Sequence, residues 1–422
     1  MGSKLLILLV IILGALAIAQ LVRVNELTAK HAKKREEEIP HRDNIFNSRM
    51  MFIFMILLYA GFIWLMMKYG YVDLGPSASA HGEEVDWLMN INLVLIITIF
   101  FFTNTLLFVF AWKYVKKPGT KAYFFPHNNK LELIWTVIPA AVLAVIIILG
   151  LRTWNDITTK AGAESENIEI FSYQFGWTAR YSGMNNELGK FDYKLTTPEN
   201  PYGIMTEDNI EASLQNMLVG GPGQEGIELL EQKLNDETIV MPREDREALR
   251  TDLGRKERMA KLLQAMSATY NDSLDALAND DVIVADSLVL LKGQNYNFHY
   301  RSKDVIHSAY FPHFRSQMNT VPGMTTYFKF QPLYTTNEMK EKMDNPDFEY
   351  ILMCNKICGG SHYKMKMAVS VLGPQDYLNW QKSKKTYNGE SWLNFEDSQR
   401  AGKEAELLEK YQAIASRVDE EK

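Results

Sequence analysis

Four long apolar segments are confined to the first third of this 422-residue chain. They cover roughly residues 5–22, 50–67, 88–112 and 131–151. A helix needs about 20 residues to cross a bilayer, and tryptophans lie near several segment ends, as is typical of the membrane interface. A buried helix of a soluble protein is the alternative for any one segment, but four such runs leave little room for it. We predict a transmembrane helical region over residues 1–155 with about four spans, and hence the lipid bilayer as a partner.

The charges of the connecting segments predict the direction of these spans. Residues 23–49 and 113–130 are rich in Lys and Arg, whereas residues 70–87 are acidic. By the positive-inside rule both basic segments are cytoplasmic, which places the polar remainder of the chain, and the N-terminus, outside. Residues 1–20 also resemble a signal peptide. Cleavage there would export the basic segment 23–49, so we favour a retained span.

The polar remainder has the pattern of a β-sandwich or barrel. Short runs of β-branched and aromatic residues separated by turns are typical of that class, and they occur at 167–172, 281–291, 296–301, 325–331, 348–353 and 368–372. Residues 205–280 instead repeat apolar residues three and four apart, which indicates helices. We therefore predict an α+β membrane protein whose β-domain, residues 156–382, carries a helical insertion at about 205–280. Residues 383–422 are predicted to form a helical tail.

Both cysteines of the chain lie in one short segment that also holds a histidine and a methionine. Cys354, Cys358, His362 and Met365 follow one another closely, and His307 lies upstream. Thiolate, thioether and imidazole are the ligands of copper electron-transfer sites. Zinc is a poorer match because it does not favour thioether sulfur. A disulfide across so short a loop would add little stability and would leave the histidine and methionine without a role. The segment therefore predicts a copper site.

At these residues the chain resembles subunit II of the haem-copper cytochrome c oxidases. The family carries the pattern C-x-x-x-C-x-x-x-H-x-x-M, which residues 354–365 match, and residues 304–308 are similar to the segment with its first histidine. The likeness covers about residues 85–185 and 280–382. It implies a cupredoxin fold that holds two copper ions in a dinuclear copper A centre.

The resemblance also implies a place for each ligand. Both thiolates bridge the two coppers, His307 and Met365 complete one copper, and His362 with the backbone carbonyl of Lys356 completes the other. The family usually has glutamate at position 356, whose side chain holds a magnesium ion. An ammonium has no lone pair to offer and magnesium needs oxygen ligands. We therefore expect this magnesium to be absent, or to be held without the side chain of Lys356.

Three further residues are candidates through the same resemblance. Glu132 opens the fourth apolar segment, where the family has a glutamate at the mouth of a proton path; an interfacial carboxylate that faces water is the alternative. Phe175 and Trp177 occupy a family pattern Q-W-x-W, whose first tryptophan is the electron entry. Phe175 keeps an aromatic ring there without the indole. Packing inside the barrel is the alternative for both rings.

The resemblance implies subunit II of a respiratory oxidase in a bacterial plasma (inner) membrane, with its copper domain on the periplasmic side. Such a subunit takes electrons from a c-type cytochrome and passes them to haem in subunit I, where oxygen is reduced to water and protons are translocated. No C-x-x-C-H segment occurs, so no haem is expected in this chain. The net charge of −6 gives no reason to expect a nucleic-acid partner. The alternatives are a copper carrier or assembly factor, a quinol-oxidising relative, which the full ligand set argues against, and a copper A-type nitric oxide reductase.

Overall fold

The structure of this chain is a computed structural model. It describes residues 2–31, 40–70, 74–159, 162, 164–221 and 224–420, without the side chains of residues 2–11, 29–31 and 397. The helices are α1 (Gly2–His31), α2 (His41–Tyr69), α3 (Gly82–Lys113), α4 (Asn129–Thr158), α5 (Glu207–Leu218), α6 (Ile227–Asn235), α7 (Arg243–Ala268), α8 (Asp275–Asn279), α9 (Thr336–Lys342), α10 (Pro374–Lys382) and α11 (Asp397–Glu420). The strands are β1 (Glu166–Tyr173), β2 (Gly176–Tyr181), β3 (Gly220–Gly221), β4 (Gln224–Glu225), β5 (Val282–Val284), β6 (Ser287–Leu291), β7 (Tyr296–Ser302), β8 (His307–Phe311), β9 (Ser316–Thr320), β10 (Thr326–Phe330), β11 (Tyr350–Cys354) and β12 (Lys366–Leu372).

Three of the described helices, α2, α3 and α4, are long and apolar enough to cross a membrane. Large apolar side chains along them, such as Phe54, Phe102 and Ile148, are exposed in the isolated chain, as expected of surfaces that lipid covers. These helices correspond to the second, third and fourth predicted spans. The first predicted span, residues 5–22, falls on α1. Some of its side chains lie outside the described residues, so it stays a prediction.

The chain divides into two compact units, Met1–Asp73 with Asn92–Pro139, and Leu74–Ile91 with Ala140–Lys422. Within the first unit, α2 packs on α3 through aromatic rings. The Tyr59 hydroxyl donates to the carbonyl of Phe101 at 3.0 Å, and Phe62 stacks on Phe100 with 5.5 Å between ring centroids. The hydroxyl needs such a partner because hydrocarbon offers none.

In the second unit the strands form two five-stranded sheets, ordered β10-β7-β1-β2-β5 and β6-β12-β11-β8-β9. Most neighbours are antiparallel, but β1 runs parallel to β7 and β12 parallel to β6. One buried cluster takes side chains from both sheets, including Ile168 and Phe298 of the first and Leu352 and Val369 of the second. Two sheets that share a core in this way form a sandwich, as predicted.

The run at 281–291, predicted as one strand, is two strands. β5 pairs with β2 in the first sheet, whereas β6 pairs with β12 in the second. Ala285 and Asp286 between them are exposed and carry the chain from one sheet to the other. The sequence does not reveal this crossing because both halves have the same local preference for strand.

Between β2 and β5 the chain leaves the sandwich to form the predicted helical insertion, α5 to α8. Thr206 caps α5 by accepting a hydrogen bond from the backbone N–H of Asn209 at 3.2 Å, as N-cap residues do. The insertion has a small core of its own. Its members are Leu195, Ile210 and Leu263, with Met205, Leu214, Met217, Met259, Met266 and Tyr270 packed around them.

A buried cluster of charges ties the approach to the insertion to the first sheet. The carboxylate of Glu169 on β1 accepts from Arg180 at 2.8 Å and from Arg301 at 2.6 Å. These guanidiniums also donate to the carbonyls of Gly189 and Tyr202, which precede α5. Burial opposes ionisation of Glu169, but the two arginines outweigh it and lower its pKa to about 2. Glu169 is therefore ionised at any physiological pH.

The segment before α3 is attached to the sandwich. The Ser79 hydroxyl donates to the carbonyl of Phe314 at 2.7 Å, and Arg315 pairs with Asp86 near the start of α3 at 2.8 Å. At another edge of the sandwich, Lys292 pairs with Asp419 on α11 at 2.9 Å. The predicted acidic segment 70–87 thus packs, in its described part, on the same body that carries the metal-ligand motif.

Candidate metal centre

Two neighbouring strands of the second sheet bring the distant ligands together. β8 begins at His307 and β11 ends at Cys354, and the strands pair antiparallel with Cys354 opposite Ala309. The chain then loops and returns as β12, and the backbone N–H of Cys354 donates to the carbonyl of Met365 at 3.1 Å. Strand pairing therefore places His307 beside a loop that lies far along the chain.

The sulfur of Cys358 lies at the centre of the ligand cluster. It is 3.9 Å from Cys354 Sγ, 3.5 Å from His362 Nδ1 and 3.7 Å from Met365 Sδ. The ligand atoms of His307, Cys354 and Cys358 lie within 4.8 Å of one another. Both cysteines are free thiols. The structure thus brings all the predicted side-chain ligands into one site.

The imidazole of His307 is fully buried and held by one hydrogen bond. Its Nε2 lies 2.9 Å from the carboxylate of Asp304, so Nε2–H donates and Nδ1 keeps its lone pair. Nδ1 is buried and has no hydrogen-bond partner among the described residues. A buried imidazole nitrogen without a partner is costly, and a metal ion would satisfy it.

Asp304 is itself well supported. Burial acts to raise its pKa, but hydrogen bonds from His307 and from the backbone N–H groups of Gln174 and Val305 lower that pKa overall. The carboxylate therefore stays ionised and keeps the proton on Nε2 of His307. Carboxylates that orient a ligand histidine in this way are the usual second layer of metal sites.

The chemistry of the cluster suits a soft metal ion. Burial, followed by the neighbouring Cys354 thiol, raises the pKa of Cys358 to about 11. A coordinated cation reverses this effect, because a thiol bound to metal is deprotonated. Two thiolates, a thioether and two imidazoles match copper better than the hard cations that prefer oxygen. The donor set therefore fits the copper centre that the sequence implies.

Lys356 joins the cluster through its backbone. Its carbonyl oxygen lies 3.1 Å from Cys354 Sγ, whereas its side chain is exposed. A backbone ligand does not depend on side-chain identity. A lysine at position 356 therefore leaves this backbone oxygen available, and its side chain adds a positive charge at the surface.

The two aromatic candidates occupy different positions. Trp177 is 2% exposed, and its ring meets that of His307 edge to face, 6.2 Å between centroids. Phe175 is 37% exposed. Its ring lies so close to Gly359 that a β-carbon on that glycine would come within 2.9 Å of it. Trp177 is thus core packing beside a ligand, while Phe175 presents a ring at the surface next to the ligand loop.

Glu132 belongs to the other compact unit and lies in the first turn of α4. Its carboxylate accepts from the backbone N–H of Asn128 at 3.4 Å, and the Asn128 side chain accepts from the N–H of Leu131 at 3.1 Å. Reciprocal contacts of this kind cap a helix. A role of Glu132 in proton entry stays a prediction.

Sequence reasoning missed a residue that joins two ligand-bearing segments. The Gln174 amide donates to the carbonyl of Cys358 at 2.5 Å, and the Gln174 backbone N–H donates to Asp304 at 2.7 Å. The role of Asp304 beside His307 was missed as well, although the D-x-x-H spacing could have indicated it. For Gln174 no local signal exists, because its contacts join parts of the chain that only the fold brings together.

Together, the fold and the cluster define a β-sandwich protein with membrane-spanning helices and a buried group of thiols and an imidazole that could hold a metal ion. Residues 68–153 match the family described as cytochrome C oxidase subunit II, transmembrane domain. The chain is thus similar to cytochrome c oxidase subunit II in its membrane-spanning region. The matched region contains α3 and most of α4, the third and fourth predicted spans, whereas α1 and nearly all of α2 lie outside it.

Several proteins of similar sequence are named as subunit 2 of cytochrome c oxidases. The alternative cytochrome c oxidase subunit 2 of Bradyrhizobium diazoefficiens is 27% identical over 322 residues, which cover 76% of this chain and 86% of that protein. Cytochrome c oxidase subunit 2 of Cereibacter sphaeroides is 21% identical over 305 residues, or 72% and 77% of the two chains. The solved periplasmic domain of subunit II from Bradyrhizobium japonicum overlaps 52% of this chain and 94% of its own at 14% identity, with a TM-score of 0.25. That overlap is too loose to bear on the fold.

Proposed function

We propose that this chain is the electron-accepting subunit II of a cytochrome c oxidase. The observation that carries the proposal is the convergence of His307, Cys354, His362 and Met365 around the sulfur of Cys358. The similarity to named subunit II proteins supports it. The donor is a c-type cytochrome, and the acceptor is haem in subunit I, where oxygen is reduced to water and protons are translocated.

The residues of this chain would hold two copper ions, a pair that supplies reversible one-electron storage. Cys354 and Cys358 would hold these ions through their thiolates. Asp304 fixes the imidazole of His307 so that Nδ1 is the free ligand atom. Trp177 closes the core beside that imidazole, which excludes water and keeps the ligand geometry rigid. Phe175 is the surface ring through which we expect electrons to enter.

The proposed orientation puts the metal centre outside the cytoplasm, on the periplasmic side of a bacterial plasma membrane. The basic loops 23–49 and 113–130 favour the cytoplasm. The described part of segment 70–87 packs on the β-sandwich through Arg315 and Asp86, so both share one side of the membrane. Cysteine introduced at Ser383 should react with an impermeant thiol reagent in intact cells, whereas cysteine at Thr120 should react only after the cells are opened. The reverse pattern would contradict this orientation.

Copper counting and electron spin resonance on the purified full-length chain test the metal centre. We expect two coppers per chain and a mixed-valence signal, both lost in Cys358→Ser. Met367→Leu is the matched control, because Met367 is buried on β12 close to Met365 but belongs to the core rather than the ligand set. One copper per chain with a blue-copper signal would refute a dinuclear site.

Co-purification tests the assignment to an oxidase. We expect the tagged chain to bring down a haem-bearing subunit, and the complex to consume oxygen with reduced c-type cytochrome as donor. Nitric oxide consumption without oxygen uptake would indicate a nitric oxide reductase. A copper-loaded chain without a haem partner would indicate a carrier or assembly factor.

A further inference from the structure

We propose that the protein which delivers electrons to this centre docks through an acidic face, because the surface around the ligand loop is basic. The inference rests on the proposed function and adds the chemistry of the partner. Four lysines form this basic rim: Lys303, Lys356, Lys364 and Lys366. All four side chains are exposed.

Each rim lysine is fixed next to the metal ligands by the backbone. Lys303 precedes Asp304, and its N–H donates to the carbonyl of Ser172 at 2.9 Å. Lys366 opens β12, opposite Met353 and directly after Met365. Fixed positions of this kind keep the positive charges around the ligand loop rather than scattered over the sandwich.

The other two rim lysines lie inside the ligand loop itself. Lys356 supplies the carbonyl near Cys354. Lys364 lies in the turn that begins at His362, with its ammonium 5.5 Å from the ring centroid of Tyr363. A docking partner that approaches the ligand loop therefore meets both of these ammonium groups.

Acidic residues do not offset this charge. Asp304 is the sole acidic residue in the segments 172–177, 302–308, 319–325 and 353–366, which form or border the cluster. Its carboxylate is already engaged by His307 and by backbone N–H groups. Among the described residues, none of the rim ammonium groups is paired with a carboxylate. The chain as a whole has a net charge of −6, so the rim is opposite in sign to the average surface.

Inside the rim the surface is apolar. Ile357 is 87% exposed and Tyr363 76% exposed, and both lie in the ligand loop near the partly exposed ring of Phe175. An apolar centre with a polar, charged border is the anatomy of a protein interface, and apolar side chains that adjoin one another at the surface are typical of interaction sites. The charged border selects a partner of opposite sign and raises the rate of encounter, while the apolar centre excludes water where the electron crosses.

One c-type cytochrome in two charge forms tests the proposal on the intact oxidase. One form is basic, and the other carries glutamates in place of the lysines around its haem edge. In each transfer the cytochrome loses one electron and the copper centre gains it. We expect the acidic form to associate at least about ten-fold faster at low ionic strength, with a rate that falls as salt rises. When binding is measured with the oxidised cytochrome, so that no turnover occurs, the acidic form should also bind more tightly than the basic form.

Charge reversal on this chain locates the contact. Lys364→Glu with Lys366→Glu should slow association of the acidic form about ten-fold and flatten its salt dependence. Lys364→Gln with Lys366→Gln should have a smaller effect of the same sign. Lys385→Glu is the control, because this exposed lysine lies between α10 and α11, outside every rim segment. It should leave the rates unchanged.

Faster association of the basic form, or unchanged rates after charge reversal, would overturn the acidic-donor proposal. The proposal would also fall if the charge-reversal variant no longer co-purified with other oxidase subunits while the salt dependence of cytochrome association stayed the same. The rim would then face another subunit. A small-molecule reductant distinguishes a wrong docking inference from a wrong assignment of function. If it still reduces a dinuclear copper centre in the intact oxidase, the proposed function stands and only the docking inference falls.

Discussion

Asp304 accepts a hydrogen bond from Nε2 of the buried His307 at 2.9 Å, and this contact decides which nitrogen of the imidazole is free to bind metal. We predict that Asp304→Asn weakens copper binding about 10–100-fold, because an amide no longer fixes the tautomer and ring orientation of a ligand histidine. Chelator competition on the full-length chain measures the affinity. Asp347→Asn, at an exposed aspartate away from the cluster, should bind copper normally. Equal affinity in both variants would contradict the role of Asp304.

Gly359 and Phe175 pack so closely that a side chain on the glycine has no room. Gly359 has φ of +142°, and an added β-carbon would lie 2.9 Å from both the Phe175 ring and Nε2 of the Gln174 side chain. We expect Gly359→Ala to displace Phe175 and to slow reduction by a cytochrome several-fold, while copper content stays the same. At Gly360 nothing lies within 4 Å of such a carbon, so Gly360→Ala is the matched control. Equal rates in the two variants, measured by stopped flow, would remove Phe175 from the electron path.

Glu169 predicts how the sandwich responds to acid. Its pKa is lowered from 4.5 to about 2, so its ionised form adds stability that is complete above pH 4.5 and is lost as the pH falls from 4.5 towards 2. Glu169→Gln should lower the free energy of unfolding at neutral pH by about 3–5 kcal/mol, since it leaves the buried guanidinium of Arg301 without its carboxylate and that of Arg180 with Asp281 alone. In this variant the free energy of unfolding should also fall less as the pH drops from 4.5 towards 2.

The control for Glu169 is an exposed ion pair. Glu225 on β4 pairs with Lys233 at a surface where both side chains are partly solvated, so Glu225→Gln should cost less than about 1 kcal/mol. Thermal unfolding followed by circular dichroism at several pH values compares the variants. Similar losses of unfolding free energy in both variants would mean that the buried cluster stabilises the fold no more than a surface ion pair does.

Glu132 is predicted to admit protons at the cytoplasmic end of α4. Glu132→Gln should slow oxygen reduction by the assembled oxidase while the copper centre is still reduced at the normal rate. Glu83→Gln, an exposed carboxylate in the first turn of α3, is the control and should leave turnover unchanged. If Glu132→Gln also leaves turnover unchanged, its contact with Asn128 is a helix cap and nothing more.

Lys356 is predicted to keep divalent cations away from the edge of the copper site. Its carbonyl remains a donor, but an ammonium repels a hard cation and cannot ligate it. Manganese added to the intact oxidase should give no bound signal in spin resonance with the native chain and should give one in Lys356→Glu. Lys356→Met, which removes the charge without adding oxygen ligands, should stay silent. A manganese signal with the native chain would refute the exclusion of the cation by Lys356 and would mean that the ion is held without this side chain.

Local signals in the sequence determined much of this protein. Hydrophobic runs predicted the helices α2, α3 and α4, because the length of a span is set by the bilayer alone. Alternating β-forming runs predicted most of the strands, and apolar residues three and four apart predicted the insertion. The grouping of the thiol, imidazole and thioether side chains from Cys354 to Met365 was predictable because one short loop carries them.

Tertiary structure decided the rest, because those features depend on contacts between distant segments. The crossing of the run 281–291 from one sheet to the other was hidden, since β5 and β6 have the same local preference. The hydrogen bonds from Gln174 to Cys358 and Asp304 were also not predictable from the sequence. The placement of Phe175 against Gly359 and of Trp177 against His307 likewise follows from how the two sheets pack. Composition and spacing can name the groups that bind a metal, but only the fold determines which atoms of those groups are left free to do so.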